Sequence, residues 1–289
     1  MFKLLYFTWD PSTGIDLGPL TLHYYSLMFI LAFALGYLIM TKIFKIDGVN
    51  QKYLEPVFTW TLIGTIFGAR IGHVVFYQPE LFKQDFWSVF LPIQTVPEFK
   101  FTGFSGLASH GAAIVLVTML VILGRKLFKR NPLWLLDRVA ITVALAGFFI
   151  RIGNFFNSEI IGKPAPNSPI AVLFPQQSVA EYGPIVPRYP TQLIEAFSYL
   201  ALFFVLAYIY LKTNKKYRMG WIFGFFFAVL WSIRFLVEFL KEPQGAEKIS
   251  VGILNTGQVL SLPLIIIGLI IMYLSKNFRI TPEESALPE

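Results

Sequence analysis

Long apolar runs separated by short polar breaks dominate the chain. Seven runs approach the ~20 residues that a helix needs to cross a hydrocarbon core of about 30 Å. They predict helices at roughly 24–44, 54–77, 107–123, 133–154, 191–211, 219–240 and 253–274. A glycine-rich stretch with Gly103 and Gly106 leads into the third run, and two longer, proline-containing segments, 78–105 and 157–190, interrupt the series. The pattern predicts an all-α integral membrane protein with about seven transmembrane helices, folded as a single polytopic membrane domain over 1–289. No internal repeat or low-complexity tract breaks it.

Lysine and arginine sort between the two sets of helix ends. One set carries Lys42, Lys45 and Lys52, then Arg125, Lys126, Lys129 and Arg130, then Lys212, Lys215, Lys216 and Arg218, then Lys276 and Arg279. The other carries Lys3, Lys83, Lys100, Lys163, Arg188, Lys241 and Lys248, spread over longer segments. The positive-inside rule makes the first set cytoplasmic. The amino terminus is then expected outside, the carboxy terminus inside, and the 78–105 and 157–190 loops outside. Residues 1–19 hold Asp10, Asp16 and two prolines without a continuous apolar core, so no cleavable signal peptide is expected.

Composition sharpens this picture. The chain is 55% hydrophobic and 14% charged, with a mean hydropathy of +0.62. Its net charge of +7 resides mainly in short interhelical loops, which reads as a topology signal and argues against nucleic acid. The absence of cysteine rules out a disulfide, a thiol nucleophile and a thiolate metal site. The three histidines lack ligand spacing, so neither a metal nor another cofactor is expected.

The segment GFFIRIGNFFNSEIIG, 147–162, places polar groups at the end of an apolar run. Charge at bilayer depth is costly and usually faces protein or water, where it marks function. Arg151 and Asn154 are three residues apart and share a helix face. Asp137 precedes Arg151 by fourteen residues, about 40° away around the helix, near the same stripe. With the predicted orientation, His110, Arg70, His73, Arg234, Glu238, Gln192, Glu195, Asn255 and Gln258 also fall in the outer half, as do His23 and Tyr25. One polar chamber opening outward is expected.

Arg151 and Arg234 offer forked donors for a phosphate; the competing reading gives each a structural ion pair, with Glu238 one turn from Arg234. Arg70 projects off a face carrying Gly64, Gly68 and Gly72, and suits either an ion pair or substrate contact. His110 lies among small residues and suits a proton acceptor or a packed core role. Tyr25 reads as a donor to lipid oxygen or an interfacial anchor. Asn157, Glu159, Glu195 and Gln258 read as network members that orient the arginines. These residues describe an outward-facing anion site near lipid headgroups, with an anionic phospholipid as the natural ligand.

The stretches LGPLTLHYYSLMF, GARIGHVVFY, SHGAA, RIGNFFNSEIIG, YPTQLIEAF, RFLVEFLKEP and GQVLSLP follow one another in an order that resembles the phosphatidylglycerol–prolipoprotein diacylglyceryl transferases. The likeness runs from about Leu17 to Pro263 and is most specific in RIGNFFNSEIIG. It implies transfer of a diacylglyceryl group from phosphatidylglycerol to the lipobox cysteine of a prolipoprotein signal peptide, giving a thioether and glycerol phosphate. It also implies lipoprotein maturation at the outer leaflet of the bacterial cytoplasmic membrane. The resemblance assigns His110, Arg151 and Arg234 as catalytic, and Tyr25, Asn154, Gly162 and Glu238 as substrate-binding beside Arg70. Asp137, Glu159, Glu195 and Gln258 also fall on family positions. Departures are Ala112 in the usual His-Gly-Gly, Leu230 four residues before Arg234, and Tyr189 before the Pro-Thr-Gln stretch. A lipid-binding or transport protein using the same arginine-lined chamber is the alternative. Alternating access would then require polar groups at an inner gate as well.

Overall fold

The computed structural model describes residues 6–18, 21–91, 93–101, 108–242 and 254–286. Among these, seven helices have seventeen residues or more: α1 Tyr24–Ile46, α2 Leu54–Tyr77, α3 Ser109–Lys126, α4 Leu133–Phe156, α5 Thr191–Lys212, α6 Trp221–Val237 and α7 Thr256–Leu274. Each coincides with one predicted apolar run. Gly103, Gly106, the 102–105 end of the first long loop and the starts of the third and seventh runs lie outside the described residues.

Four helical stretches, α1, α4, α5 and Thr256–Asn277, which contains α7, are long and apolar enough to cross a membrane; α6 is apolar but shorter. Two features shorten it. Gly220 takes a left-handed conformation (φ 91°) that starts the helix, and a turn over 238–240 ends it. Helix α3 has eighteen residues, of which Arg125 and Lys126 are two.

The described residues form two compact units. The first comprises those within Met1–Met40 and Asp137–Glu284. Here α6 and α7 touch backbone to backbone. A Cβ on Gly224 would stand 2.6 Å from Met272 N, and one on Gly268 2.6 Å from Ala228 N. Asp137 is fully buried and accepts hydrogen bonds from Gly220 N and Phe223 N, both at 2.7 Å. It therefore satisfies the free amides at the start of α6.

The 157–190 loop is folded. Strand Val172–Leu173 pairs in parallel with Phe7–Thr8. Phe155, Ile161, Val172, Phe174 and Tyr182 form a buried cluster, against which Trp9 packs. Trp9 Nε1 donates to Phe155 O at 2.8 Å. Arg188 is buried within this cap and donates to the Tyr182 carbonyl, to Gly162 O at 3.2 Å and to Glu242 at 2.8 Å. The sequence pattern treats it as a loop charge; in the fold it is a cross-link of the cap.

The second unit comprises the described residues within Thr41–Leu136 and Ser285–Glu289. Its centre is the contact of α2 with α3. A Cβ on Gly72 would lie 2.5 Å from Gly111 Cα, and one on Gly68 2.8 Å from Gly111 O. The glycine face expected on α2 is thus the surface that α3 meets. The loop after α2 is knotted around Asp85. Its carboxylate accepts from Ser88 Oγ at 2.5 Å, Thr95 Oγ1 at 2.6 Å and Thr95 N at 2.6 Å. These hydrogen bonds, those from the Ser88 and Thr95 side chains first, hold the Asp85 carboxyl far below the ordinary carboxylate range.

Two predictions follow from these contacts. Gly72→Val overpacks the α2–α3 contact and should cost about 1–3 kcal/mol, read as a lower midpoint of thermal unfolding in detergent. Gly36→Ala, whose Cβ would meet among the described residues only Thr142 Cβ at 3.7 Å, should leave the midpoint unchanged. Asp85 has a depressed folded pKa, so its contribution is present above the unfolded value of about 4 and fades as pH falls below it. Asp85→Asn should therefore hasten proteolysis of the 78–101 loop at pH 5–8, and the gap to wild type should narrow in stronger acid.

Candidate functional site

The end of α4 delivers Arg151 and Asn154 from one helix face, and both are buried. Arg151 Nε meets Glu195 Oε2 at 2.8 Å, with Arg151 8% and Glu195 0% exposed. Arg151 Nη1 donates to Asn154 Oδ1 at 3.2 Å, and Asn154 Nδ2 donates to Glu159 Oε1 at 2.6 Å. Asn157 Nδ2 approaches the same Glu159 oxygen at 3.4 Å. Tyr199, one turn after Glu195 on α5, reaches Glu195 Oε1 at 3.4 Å and hydrogen-bonds Arg151. Arg151 thus has carboxylates on two sides, one direct and one through Asn154. Removing a partner from such a buried ion costs about 3–5 kcal/mol, so the set holds one geometry.

The turn after α4 makes this possible at some backbone expense. Ser158 and Ile160 lie at φ 52° and 58°, a region that β-branched residues rarely enter. Three hydrogen bonds pin the turn there. Ile160 N donates to Tyr182 Oη at 3.0 Å, Thr191 Oγ1 to Ile160 O at 2.8 Å, and Gln192 Nε2 to Glu159 O at 2.8 Å. The cap and the first turn of α5 therefore hold Glu159 towards Asn154.

Lys241 completes the network, and the sequence reading missed it. It is 6% exposed and lies 3.1 Å from Glu195 Oε1 and 3.6 Å from Glu238 Oε2. Burial pushes its ammonium below the ordinary lysine range, and Glu195 pulls it back. Gly162 explains how it gets there. Gly162 bridges to Lys241, Lys163 N donates to Leu240 O at 2.8 Å, and Glu242 N to Ile161 O at 3.2 Å. A Cβ on Gly162 would stand 2.5 Å from Tyr189 O and 2.9 Å from Leu240 O. Only glycine lets these backbones meet. One signal in the sequence pointed to Lys241: it lies three residues after Glu238, one helical turn on.

Arg234 differs from Arg151. Among the described residues it makes no ion pair, and its guanidinium lies over the Trp231 ring at 5.4 Å from the centroid. Its charge nevertheless acts on Glu195, Tyr199 and Lys241, which places it at the same cluster. Glu238, one turn away, instead takes Lys241 and Asn255 Nδ2, the latter at 3.5 Å, and packs against Gly257. Tyr25 lies against Gly153, where a Cβ would come within 2.8 Å of its ring, and senses the charges of Arg151 and Glu159.

Other candidates have structural partners. Asp137 caps α6. Gln258 forms a capping box with Asn255 at the start of α7, with N–H···O distances of 2.9 and 3.1 Å. In the second unit, Arg70 Nη2 donates to Ser88 O at 2.5 Å and so anchors the Asp85 loop. His110 is exposed in the first turn of α3, with Nε2 3.2 Å from Tyr77 Oη and its ring edge-on to Phe76. Among the described residues no cluster of histidine and carboxylate side chains is arranged to hold a metal ion.

The first unit thus gathers buried cations and carboxylates into one network near the ends of apolar helices. Comparison with known proteins makes the assignment specific. The prolipoprotein diacylglyceryl transferase family model matches residues 13–274. The chain is 36% identical over 273 residues to the phosphatidylglycerol–prolipoprotein diacylglyceryl transferase of Bacteroides fragilis, covering 93% of this chain and 95% of that one. It is 36% identical over 272 residues to the enzyme of that name from Tolumonas auensis, with 94% and 98% covered. For the Chloroherpeton thalassium protein of that name the identity is 32% over 271 residues, covering 93% and 94%. The chain belongs to the prolipoprotein diacylglyceryl transferase family and is by that membership a transferase.

The shared carboxylate yields a direct test. Glu195→Gln and Lys241→Met should each lower stability, and the double variant should lose less than the sum. The expected coupling is about 0.5–3 kcal/mol, read from thermal or denaturant unfolding in detergent. Strict additivity would show that the 3.1 Å contact carries no energy.

Proposed function

We propose that this transferase of lipoprotein maturation moves the diacylglyceryl group of phosphatidylglycerol to the thiol of a lipobox cysteine in a prolipoprotein signal peptide. The observation that carries the reading is the pairing of one cation fixed by carboxylates, Arg151, with one free of an ion pair among the described residues, Arg234. A phosphate ester needs both an oriented donor and uncompensated positive charge.

In this reading the cysteine sulfur attacks the carbon of the diacylated glycerol that bears the phosphate, not that of the headgroup glycerol. The C–S bond forms as the C–O bond breaks, and glycerol phosphate leaves with the bonding pair. Arg151 and Arg234 stabilise charge growing on the departing phosphate. Asn154 and Tyr25 orient the headgroup, and Lys241 with Glu195 and Glu238 keeps the cluster in place. A thiol near pKa 8.5 is mostly protonated at neutral pH. His110 is assigned as the acceptor of its proton, as the family resemblance implies.

The same reading makes the chain one polytopic membrane domain of about seven spans in the bacterial cytoplasmic membrane. The amino terminus and the 78–105 and 157–190 loops are outside and the carboxy terminus is inside. Loop Lys and Arg counts support this orientation. The active site then faces the outer leaflet, where phosphatidylglycerol and an exported signal peptide both arrive.

Purified protein mixed with phosphatidylglycerol and a single-cysteine lipobox peptide should add one diacylglyceryl mass to the peptide. A Cys→Ser peptide should gain nothing. Bound lipid without any mass gain would refute transfer and favour lipid binding or transport. Arg151→Lys keeps the charge and loses the fork. The loss of a charged hydrogen bond predicts a fall of about tenfold to a hundredfold in kcat/KM. Activity of His110→Gln should recover as pH rises towards the thiol's own pKa; a wild-type rate at every pH would remove His110 from proton transfer.

A further inference from the structure

A second concentration of cations stands at the end of α6 opposite Arg234. The turn Asn214–Tyr217 follows α5, the turn Ser275–Asn277 follows α7, and a cleft of about 490 Å³ opens between residues 214–218 and the segment 279–282 just beyond the second turn. Lys215, Arg218 and Arg279 line it with Asn214, Tyr217, Ile280 and Pro282, and among the described residues no carboxylate is on its wall. Among the described residues none of the three cations forms an ion pair.

The backbone forces this charge together. Arg218 and Arg279 are directly opposed partners of an antiparallel bridge, flanked by Met219 N to Phe278 O at 2.9 Å and Ile280 N to Tyr217 O at 3.0 Å. Like charges placed opposite one another destabilise such a pair. Among the described residues Arg218 Nη2 reaches only a neutral hydroxyl, Ser275 Oγ, at 3.3 Å, and its Nε is buried without a hydrogen-bond partner. A guanidinium whose Nη2 meets a neutral hydroxyl keeps its charge unneutralised, and a phosphate in the cleft would supply the anionic partner. Lys215 is held in place over the Trp221 ring at 5.0 Å.

We propose that this cleft is a second anion site, distinct from the Arg151 cluster, that takes a phosphate group. The phosphate belongs to an anionic lipid headgroup or to a soluble phosphate compound. The surroundings fit a lipid. Tyr208 and Leu211 on α5, and Tyr273 and Leu274 on α7, are exposed apolar side chains at the same helix ends, where acyl chains would lie. Basic pockets between membrane helices hold headgroups in this way.

The test uses the full chain in non-ionic detergent with Arg234→Gln, which removes the first cluster's cation free of an ion pair among the described residues and leaves the Arg151–Glu195 contact intact. Dioctanoyl phosphatidic acid and inorganic pyrophosphate are titrated separately, with dioctanoyl phosphatidylcholine as the neutral control. One saturable site per chain is expected for phosphatidic acid. Affinity should fall by about tenfold or more in Arg218→Gln/Arg279→Gln, as for loss of charged hydrogen bonds. Arg218→Lys/Arg279→Lys preserves the loop charge needed for insertion and should still weaken binding, because the fork is lost. Saturation by phosphatidic acid alone identifies a headgroup site; saturation by both probes identifies a site for soluble phosphates as well. Absence of saturable binding to either probe, or affinity unchanged in both double variants, would overturn the proposal.

Discussion

A guanidinium in an apolar helix needs a partner, and the Arg151–Glu195 contact at 2.8 Å answers that need. Much of the first unit is arranged to keep it. Asn154 and Glu159 hold the second edge of Arg151, Tyr199 and Lys241 occupy the other Glu195 oxygen, and Glu238 shares Lys241. The polar groups come from α4, α5, the turn after α6 and the turn after α4, so the charge balance is also a tertiary constraint. A network of this kind is costly when half built, which ties its members to one arrangement.

Glycine is the complementary device. Close approaches at Gly72 and Gly111, and at Gly224 and Gly268, bring helix backbones together where the hydrophobic effect cannot drive association in lipid. Gly162 performs the same service for non-helical chain. By letting Tyr189 and Leu240 close in, it sets the segment carrying Lys241 beside the segment that ends the signature stretch.

Helix positions were legible to within a few residues because long apolar runs between polar breaks mark them, although α6 is shorter at both ends than its run. The shared face of Arg151 and Asn154 was legible from their spacing of three, and the contact face of α2 from its glycines. What crosses between distant segments was not. Asp137 sits near the Arg151 stripe by angle, yet its partners are the Gly220 and Phe223 amides, more than eighty residues on. Arg70 reads as an intramembrane charge, whereas its bond to Ser88 O belongs to a loop. Arg188 and Lys241 look like scattered loop cations, because the tight backbone pairing that buries them leaves no periodic trace. Glu238 pointed back to Arg234 by helical spacing, but the helix ends at Val237 and the carboxylate turns to Lys241.

The bridge between Gly162 and Lys241 makes chain length itself a functional variable. Lys241 reaches Glu195 only because a fixed number of residues separates it from the end of α6 while its backbone is clamped to Gly162. A single-residue insertion within 238–240 would leave every side chain of the cluster chemically intact and still deliver the wrong residue to Glu195. Tolerance to insertions and deletions should therefore be sharply uneven along loops of similar polarity, and lowest beside the bridge.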